Sequence, residues 1–250
     1  MSEEINFDNL LVSVVIPAFN EENNIINCIK SIKNQSYTGK VEIILADNGS
    51  TDKTRELAIN EGIKIIREDR PGVCYARQAG TEIALGEIII STDADTTHNK
   101  NWIKNIVEKF KEDDEIVAVG GHFIIIDGPK WKNIVNVFFK YSVRIFQISF
   151  NKVTLYGSNT AFKKSKWEGY DVKMNAGGDE IALARQLGKR GKIVFLFDNE
   201  VYTSGRRMNK GFLHFVIFYL FDYVYCLFTK KTIIPPRAIR LKDKNNKYDY

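Results

Sequence analysis

The chain has 250 residues, of which 44% are apolar and 27% charged, so it is too apolar for a disordered chain and long enough to bury a core without disulfide staples. Its net charge of +5 comes without a lysine run or an RNA-binding aromatic signature, which argues against nucleic acid as a partner. A phosphate-bearing substrate or an anionic membrane surface suits such mild basicity.

Met1 to Asn9 is polar and acidic, which predicts no N-terminal signal peptide and a cytoplasmic protein. Leu11 to Pro17 (LVSVVIP) is a β-branched run typical of a strand buried on both faces. Asn20 is suited to cap a helix carrying Ile25, Ile29 and Ile32 at helical spacing, with Glu21 and Glu22 in its first turn. Val41 to Ala46 predicts a second strand ending at Asp47, and Ser50-Thr51-Asp52 a second helix that Gly62 stops. Ile63 to Ile66 is a short third strand. Pro71-Gly72 opens a third helix with Val73, Ala76, Ile83 and Ala84 inward. Glu87 to Thr92 predicts a fourth strand, Asn99 to Lys111 a helix, and Ile116 to Val119 a fifth strand. This alternation predicts an α/β fold built on an open, mostly parallel sheet flanked by helices. The three cysteines, Cys28, Cys74 and Cys226, lie far apart and read as reduced thiols with no zinc site.

Ligands of such sheets bind beyond the carboxyl ends of the strands. Three polar clusters fall there: Ala18-Phe19-Asn20-Glu21, Asp47-Asn48-Gly49-Ser50 and Asp93-Ala94-Asp95. Singly each reads as turn chemistry; together they predict one site on one rim. If Asp93 and Asp95 continue an extended strand, their side chains share a face. Two charges ~5 Å apart at an effective dielectric of 20 then repel by roughly 3 kcal/mol. A solvated loop or a divalent cation would offset that. No G-x-G-x-x-G follows the first strand and no G-x-x-x-x-G-K-[ST] occurs, so phosphate handling rests on a cation and side chains. DADTT (Asp93–Thr97) also fits the D-x-D-x-T pattern of haloacid-dehalogenase-type phosphatases. Those place it on the first strand and need a later lysine and acidic pair, for which Asp179-Glu180 is a loose match.

Taken in order, VSVVIPAFNE (Val12–Glu21), ADNGSTD (Ala46–Asp52), GVCYARQAG (Gly72–Gly80), GEIIISTDAD (Gly86–Asp95), GSNTAF (Gly157–Phe162) and GGDEIALARQLGKRG (Gly177–Gly191) resemble glycosyltransferase family 2, inverting enzymes of the GT-A fold. The resemblance implies a hexosyl- or N-acetylhexosaminyltransferase using a UDP- or GDP-sugar with Mn²⁺ or Mg²⁺. It implies that Pro17, Phe19 and Glu21 line the nucleotide pocket, Asp47 meets the base, and Arg77 lies beside base and diphosphate. Asp93 falls near the ribose or donor sugar, and Asp95 on the metal. Asp179 falls at the catalytic base, six residues before Arg185 as in the family. The family's usual Glu before that Asp is Gly178 here and Glu180 follows, so Glu180 stands as a second candidate. A His that helps hold the metal in many relatives is Thr203 or Ser204 here. Arg206 and Arg207 are suited to forked contacts with diphosphate oxygens. These departures also support a reading from another class, an inactive module that binds sugar nucleotides or glycans. His98 is expected at a helix start, and His122 at a strand end, facing the donor sugar.

The expected organisation is a glycosyltransferase domain over 1–210, with a donor half to about 120 and an acceptor half beyond it, then a helical tail over 211–250. Trp131 to Phe150 predicts an amphipathic helix with Lys132, Asn136, Lys140 and Arg144 on one stripe and Ile134, Phe138, Tyr141, Ile145 and Ile148 on another. It reads as packed on the core or as bordering the acceptor site. Phe212 to Phe228 is apolar nearly all round, but His214 and Asp222 interrupt it and it is short for a membrane span. It predicts an interfacial helix followed by Lys230, Lys231, Arg237 and Arg240, peripheral on the cytoplasmic face of the membrane and near a glycan or polyprenyl-phosphate-linked acceptor. The competing reading packs that helix on the domain or in a homodimer contact.

Overall fold

A computed structural model describes residues 10–150, 155–174, 178–212, 225–226, 229, 241–242 and 248–249. Eight strands form one sheet. They are β1 (Leu11–Ala18), β2 (Lys40–Asp47), β3 (Lys64–Arg67), β4 (Ile88–Ser91), β5 (Thr96–His98), β6 (Ile116–Ile125), β7 (Thr160–Lys163) and β8 (Lys192–Thr203). The spatial order is β3-β2-β1-β4-β7-β6-β8-β5. The first four are parallel, as the alternating strands and helices predict. The fifth predicted strand, β6, is longer than expected and does not lie beside β4. The edge of β4 is taken by β7, antiparallel to both neighbours. Beyond it, β8 runs parallel to β6, and β5 closes the sheet antiparallel to β8.

Side-chain alternation along the strands buries both faces. Val12, Val14 and Ile16 of β1 and Ile88 and Ile90 of β4 pack on one side. There they meet α1 (Ile25–Lys33) and α4 (Trp102–Glu112) through Ile25, Ile29, Trp102, Ile106 and Phe110. Val15, Ile44 and Ile89 face the other side, with Phe162, Tyr170 and, from α6 (Gly178–Leu187), Leu183 and Leu187. Each fully buried Ile or Leu contributes about 1.5–3 kcal/mol of transfer free energy. The remaining helices are α2 (Thr54–Asn60), α3 (Val73–Ile83) and α5 (Lys132–Phe150).

Three local expectations are corrected. Asn20 does not cap α1, which begins at Ile25. Its φ is 54°, a left-handed conformation that Asn tolerates, and its Oδ1 accepts the Thr51 N–H at 2.9 Å. Likewise α4 begins at Trp102, because Thr96 to His98 pair with β8. Among the described side chains of α5 the buried one is Val135, against Ile125 and Met208. The amide of Asn136 bonds both the N–H and the carbonyl of Ile125, at 3.0 Å each, and this pins the helix. The described part of its predicted apolar stripe is thereby turned outward: Ile134, Phe138 and Tyr141 are 70%, 48% and 58% exposed, while the side chains of Ile145 and Ile148 lie outside the described residues.

Most of the predicted C-terminal interfacial helix, Phe212 to Phe228, lies outside the described residues. Of it, Phe212 meets Trp131 edge-on at 5.3 Å, and Cys226 is buried against Met174 and Ile181. Among the described residues no helix is long and apolar enough to cross a membrane.

Candidate active site

The carboxyl ends of β1, β2 and β4 bring the three polar clusters together, as predicted. Hydrogen bonds stitch the first two. The Asn20 N–H donates to Ser50 Oγ at 3.0 Å, Glu21 N–H to Thr54 Oγ1 at 2.6 Å, and Glu22 N–H to Asp52 Oδ2 at 3.1 Å. Pro17 is buried within β1, paired with Ala46, and Phe19 is buried just beyond it. Asp47, the last residue of β2, is buried; its Oδ1 accepts the Ser50 N–H at 3.0 Å, and its Oδ2 has no partner.

Asp93 and Asp95 do not continue the extended strand, which ends at Ser91. The Thr96 N–H donates to the Asp93 carbonyl at 3.1 Å, so the chain turns between them. Each carboxylate meets its own guanidinium: Asp93 accepts from Arg77 at 3.0 Å, and Asp95 lies 3.5 Å from Arg206. Like-charge repulsion is thus relieved by a turn and two cations of the chain, where an extended strand would leave the pair adjacent.

Arg77 is the hub. It projects from α3, is buried, and pairs with Asp179 and, at 3.1 Å, with Glu180 at the start of α6. Burial alone would lower its guanidinium; the charges of Asp179, Glu180 and Asp93 outweigh that and hold it well above its ordinary value. Burial, then the charge of Asp179, pushes the Glu180 carboxyl well up. Glu180 Oε1 also accepts the Gly157 N–H at 3.0 Å, and its Oε2 has no partner. A Cβ on Gly157 would overlap the Arg77 guanidinium and the Glu180 carboxylate, so only glycine allows this close approach. Asp179 has no exposed surface. The loop before it, 175–177, lies outside the described residues.

Behind Asp95, the Thr203 hydroxyl donates to its Oδ1 at 3.3 Å, whereas Ser204 turns to Asp127 at 3.0 Å. Thr203 therefore holds the position beside the carboxylate. Arg206 forks onto Glu21, with Nη1 donating to Oε2 at 2.8 Å and Nη2 to Oε1. The side chain of Arg207 lies outside what the structure describes. His98 is not at a helix start; it ends β5, buried between Ser31 and Thr92, each 2.8 Å from a ring nitrogen, and stacks on Trp102. Burial holds its pKa down at about 3. His122 lies inside β6 and not at its end, buried, with Nδ1 unpartnered. Sequence reasoning missed Asp127, whose carboxylate anchors the segment carrying Arg206, and Asn48, whose amide ties Glu68, Arg70 and Gly72. Asn48 stood inside a motif already singled out; Asp127 carried no signal.

Among the described residues no cluster of three or more His, Cys, Asp or Glu groups is arranged to hold a metal. A hard cation bound by one or two carboxylates plus substrate phosphates needs fewer. Asp95, with Asp93 one turn away, supplies that donor type, and the Arg206 guanidinium already places positive charge against Asp95 and Glu21. The donor set fits Mg²⁺ or Mn²⁺.

A mixed α/β sheet whose parallel half ends in this rim of carboxylates, with no glycine-rich phosphate loop, defines a GT-A-type domain. Residues 13–170 match the model of glycosyl transferase family 2, more than half of the chain, and the chain belongs to that family. It is 30% identical over 119 residues to glycosyltransferase GlyG of Streptococcus pneumoniae, covering 45% of this chain and 39% of that protein. It is 32% identical over 122 residues to the dolichyl N-acetyl-alpha-D-glucosaminyl phosphate 3-beta-D-2,3-diacetamido-2,3-dideoxy-beta-D-glucuronosyltransferase of Methanococcus voltae, covering 44% and 38%. The matched segments thus span well under half of those relatives. Among solved structures, glucosyl-3-phosphoglycerate synthase from Mycobacterium tuberculosis superposes with a TM-score of 0.67 at 20% identity, covering 97% of this chain and 88% of that one. The same synthase in complex with Mn²⁺, UDP-glucose and phosphoglyceric acid gives 0.64 at 20% identity, covering 89% and 80%.

Proposed function

We propose that the chain is an inverting glycosyltransferase that moves a sugar from a nucleoside-diphosphate sugar to a hydroxyl or lipid-phosphate acceptor. The observation that carries this reading is the Arg77 bridge. One buried guanidinium ties Asp93, on the donor rim, to Asp179, at the start of α6. Donor-side and acceptor-side carboxylates are thereby held in fixed register, which is what an in-line displacement needs.

In this reading Pro17, Phe19, Glu21 and Asp47 form the nucleotide pocket, Arg77 and Asp93 border the donor sugar, and Arg206 and Arg207 serve the diphosphate. Asp95 holds the divalent cation, Mn²⁺ or Mg²⁺. When bound, that cation supplies Lewis-acid stabilisation of the leaving diphosphate. Asp179 takes the proton of an acceptor hydroxyl as its oxygen bonds to the anomeric carbon. The bond to the diphosphate breaks, and the configuration inverts. Glu180 is less suited to that role, because burial and the charge of Asp179 favour its protonated form. Residues 1–210 form the catalytic domain, with the donor half to about 120, and 211–250 a tail. The Methanococcus voltae relative, named for a dolichyl-phosphate-linked substrate, supports a polyprenyl-phosphate or glycan acceptor at a cytoplasmic membrane face. The outward apolar stripe of α5, beside exposed Lys140 and Arg144, suits such a surface.

Transfer assays on Asp179→Asn test the assignment: turnover is expected to fall by about 10²–10⁴, the share of a general base. A near-normal rate removes Asp179 from the mechanism. One observation favours the second reading, an inactive binding module: Asp179 has no exposed surface to offer an acceptor. Donor binding without hydrolysis or transfer across a broad acceptor panel supports the module.

A further inference from the structure

Beyond β4 the rim of the sheet continues into β7 and β6, which run antiparallel. Thr160 pairs with Gly120, and the Gly121 N–H donates to the carbonyl of Asn159 at 2.9 Å. The register therefore runs on and sets Ser158 opposite His122, with both side chains on one face. It is the face of Phe162, four residues along from Ser158, which packs with Leu183 and Leu187 of α6. The Thr92 hydroxyl holds the Ser158 carbonyl at 2.9 Å, and the neighbouring Gly157 N–H donates to Glu180. His122 and Ser158 thus lie one residue from the carboxylates that Arg77 gathers. The two are 3% and 6% exposed. Nδ1 of His122 is buried without a partner, and among the described residues the Ser158 hydroxyl makes no hydrogen bond. Buried polar groups left unmatched beside a site mark where a ligand belongs.

Helix α5 supplies a third group. Asn136 bonds the backbone of Ile125, and the Phe139 ring meets that of Phe123 at 5.3 Å. The next step along both elements sets Lys140 beside His122. Burial, then the charge of Lys140, holds the His122 pKa below its ordinary value. One turn on, Arg144 lies over the Phe197 ring at 5.6 Å. From Gly128 to Trp167 the chain has no acidic residue, so neither α5 nor β7 brings a carboxylate to these cations. Asp179 and Glu180 are already paired with Arg77. An imidazole N–H, a hydroxyl and an ammonium with no carboxylate among them suit a group with several anionic oxygens. A neutral hydroxyl would satisfy the ring and Ser158 but leave the ammonium unmatched. We propose that His122, Ser158 and Lys140 form an acceptor subsite that holds a phosphate group, so that the acceptor carries a phosphate at or beside the oxygen that is glycosylated. This rests on the glycosyltransferase reading above and names the acceptor class of that same site. A soluble phosphate ester and a polyprenyl phosphate both present that chemistry.

NMR of the full chain labelled at histidine tests it, with Mg²⁺ and UDP or GDP, whichever binds, occupying the donor rim. The His122 ring signal, identified as the one lost in His122→Gln, is followed as glycerol 3-phosphate, glycerol, farnesyl phosphate and farnesol are added, the last two in a neutral detergent. The phosphate of each responding pair is expected to shift it with a Kd at least about tenfold below that of its neutral partner, the worth of one charge-assisted hydrogen bond. A response confined to farnesyl phosphate points to a lipid carrier, and one from glycerol 3-phosphate to a soluble ester. In calorimetry Lys140→Gln is expected to weaken the preferred phosphate about fivefold to tenfold and Lys140→Arg to restore it, with nucleotide affinity unchanged. Lys140 is exposed, so this arm stands if His122→Gln does not fold. A neutral partner that binds as tightly as its phosphate, no response to any of the four, or unaltered phosphate affinity in Lys140→Gln overturns the inference and leaves the glycosyltransferase reading standing. If neither nucleotide binds the wild type, that reading falls and the acceptor assignment with it.

Discussion

Replacing Arg77 by Met keeps most of the side-chain volume and removes the charge that three carboxylates share. In the native protein Arg77 meets Asp93 at 3.0 Å and Glu180 at 3.1 Å, and pairs directly with Asp179. Breaking a buried ion pair by deleting one partner costs about 3–5 kcal/mol, because the remaining charge is left buried and uncompensated. For a domain of this size each kcal/mol moves Tm by about 2–4 °C, so the variant is expected to melt roughly 6–20 °C lower near neutral pH. The deficit should depend on pH in one direction. Without the guanidinium the buried carboxylates resist ionisation, so their pKa values rise toward those of buried, unpaired acids. Protonating them removes the penalty, and the gap between variant and wild type should shrink as pH falls toward about 4.5. Arg77→Lys, which keeps a point charge without the fork, should fall between the two. Differential scanning fluorimetry or urea melts across pH read these values. A Tm for Arg77→Met within about 2 °C of wild type at neutral pH, or a deficit that does not shrink in acid, refutes the hub.

His98 supplies an acid-stability signature. Its folded pKa is held near 3, below the ordinary value of 6.5. The unfolded chain therefore binds a proton first, and stability is lost as pH falls through that window, by roughly 2–3 kcal/mol between about pH 6.5 and 4.5. In urea melts the stability difference between wild type and His98→Gln should narrow over that interval; a constant difference counts against it. Arg206→Ala removes the guanidinium that faces Asp95 and Glu21, so Mn²⁺ binding without nucleotide should strengthen by up to roughly fivefold while donor affinity falls, as titration calorimetry can show. Weaker binding of Mn²⁺ alone would mean that Arg206 does not compete with the cation. Charge reversal at Lys140 and Arg144 should raise the acceptor KM and lower co-sedimentation with anionic vesicles, with donor affinity unchanged; equal kinetics and equal sedimentation would remove α5 from acceptor handling.

The parallel half of the sheet is written locally in the chain. LVSVVIP, VEIILA and EIIIS are locally encoded: β-branched runs of strand length, each followed by a helix with its own apolar period. Because a strand followed by a helix leads back to the same edge of such a sheet, the run of polar residues after each strand also placed Phe19, Glu21, Asp47, Asp93 and Asp95 on one rim. What those residues meet is set by long-range packing. Nothing local to β4 says that β7, some 70 residues on, takes its free edge, since backbone pairing is indifferent to sequence distance. Nor does any periodicity place Arg77 between Asp93 and two carboxylates 102 and 103 residues away. The turn at Asp93-Ala94-Asp95 and the outward apolar face of α5 follow the same logic. The first is set by hydrogen bonding after the strand ends, with each carboxylate drawn to its own guanidinium. The second is set by Asn136 reaching the backbone of Ile125, a contact that outweighed the hydrophobic pattern because unmet polar groups at the buried end of β6 cost more than exposed methyls.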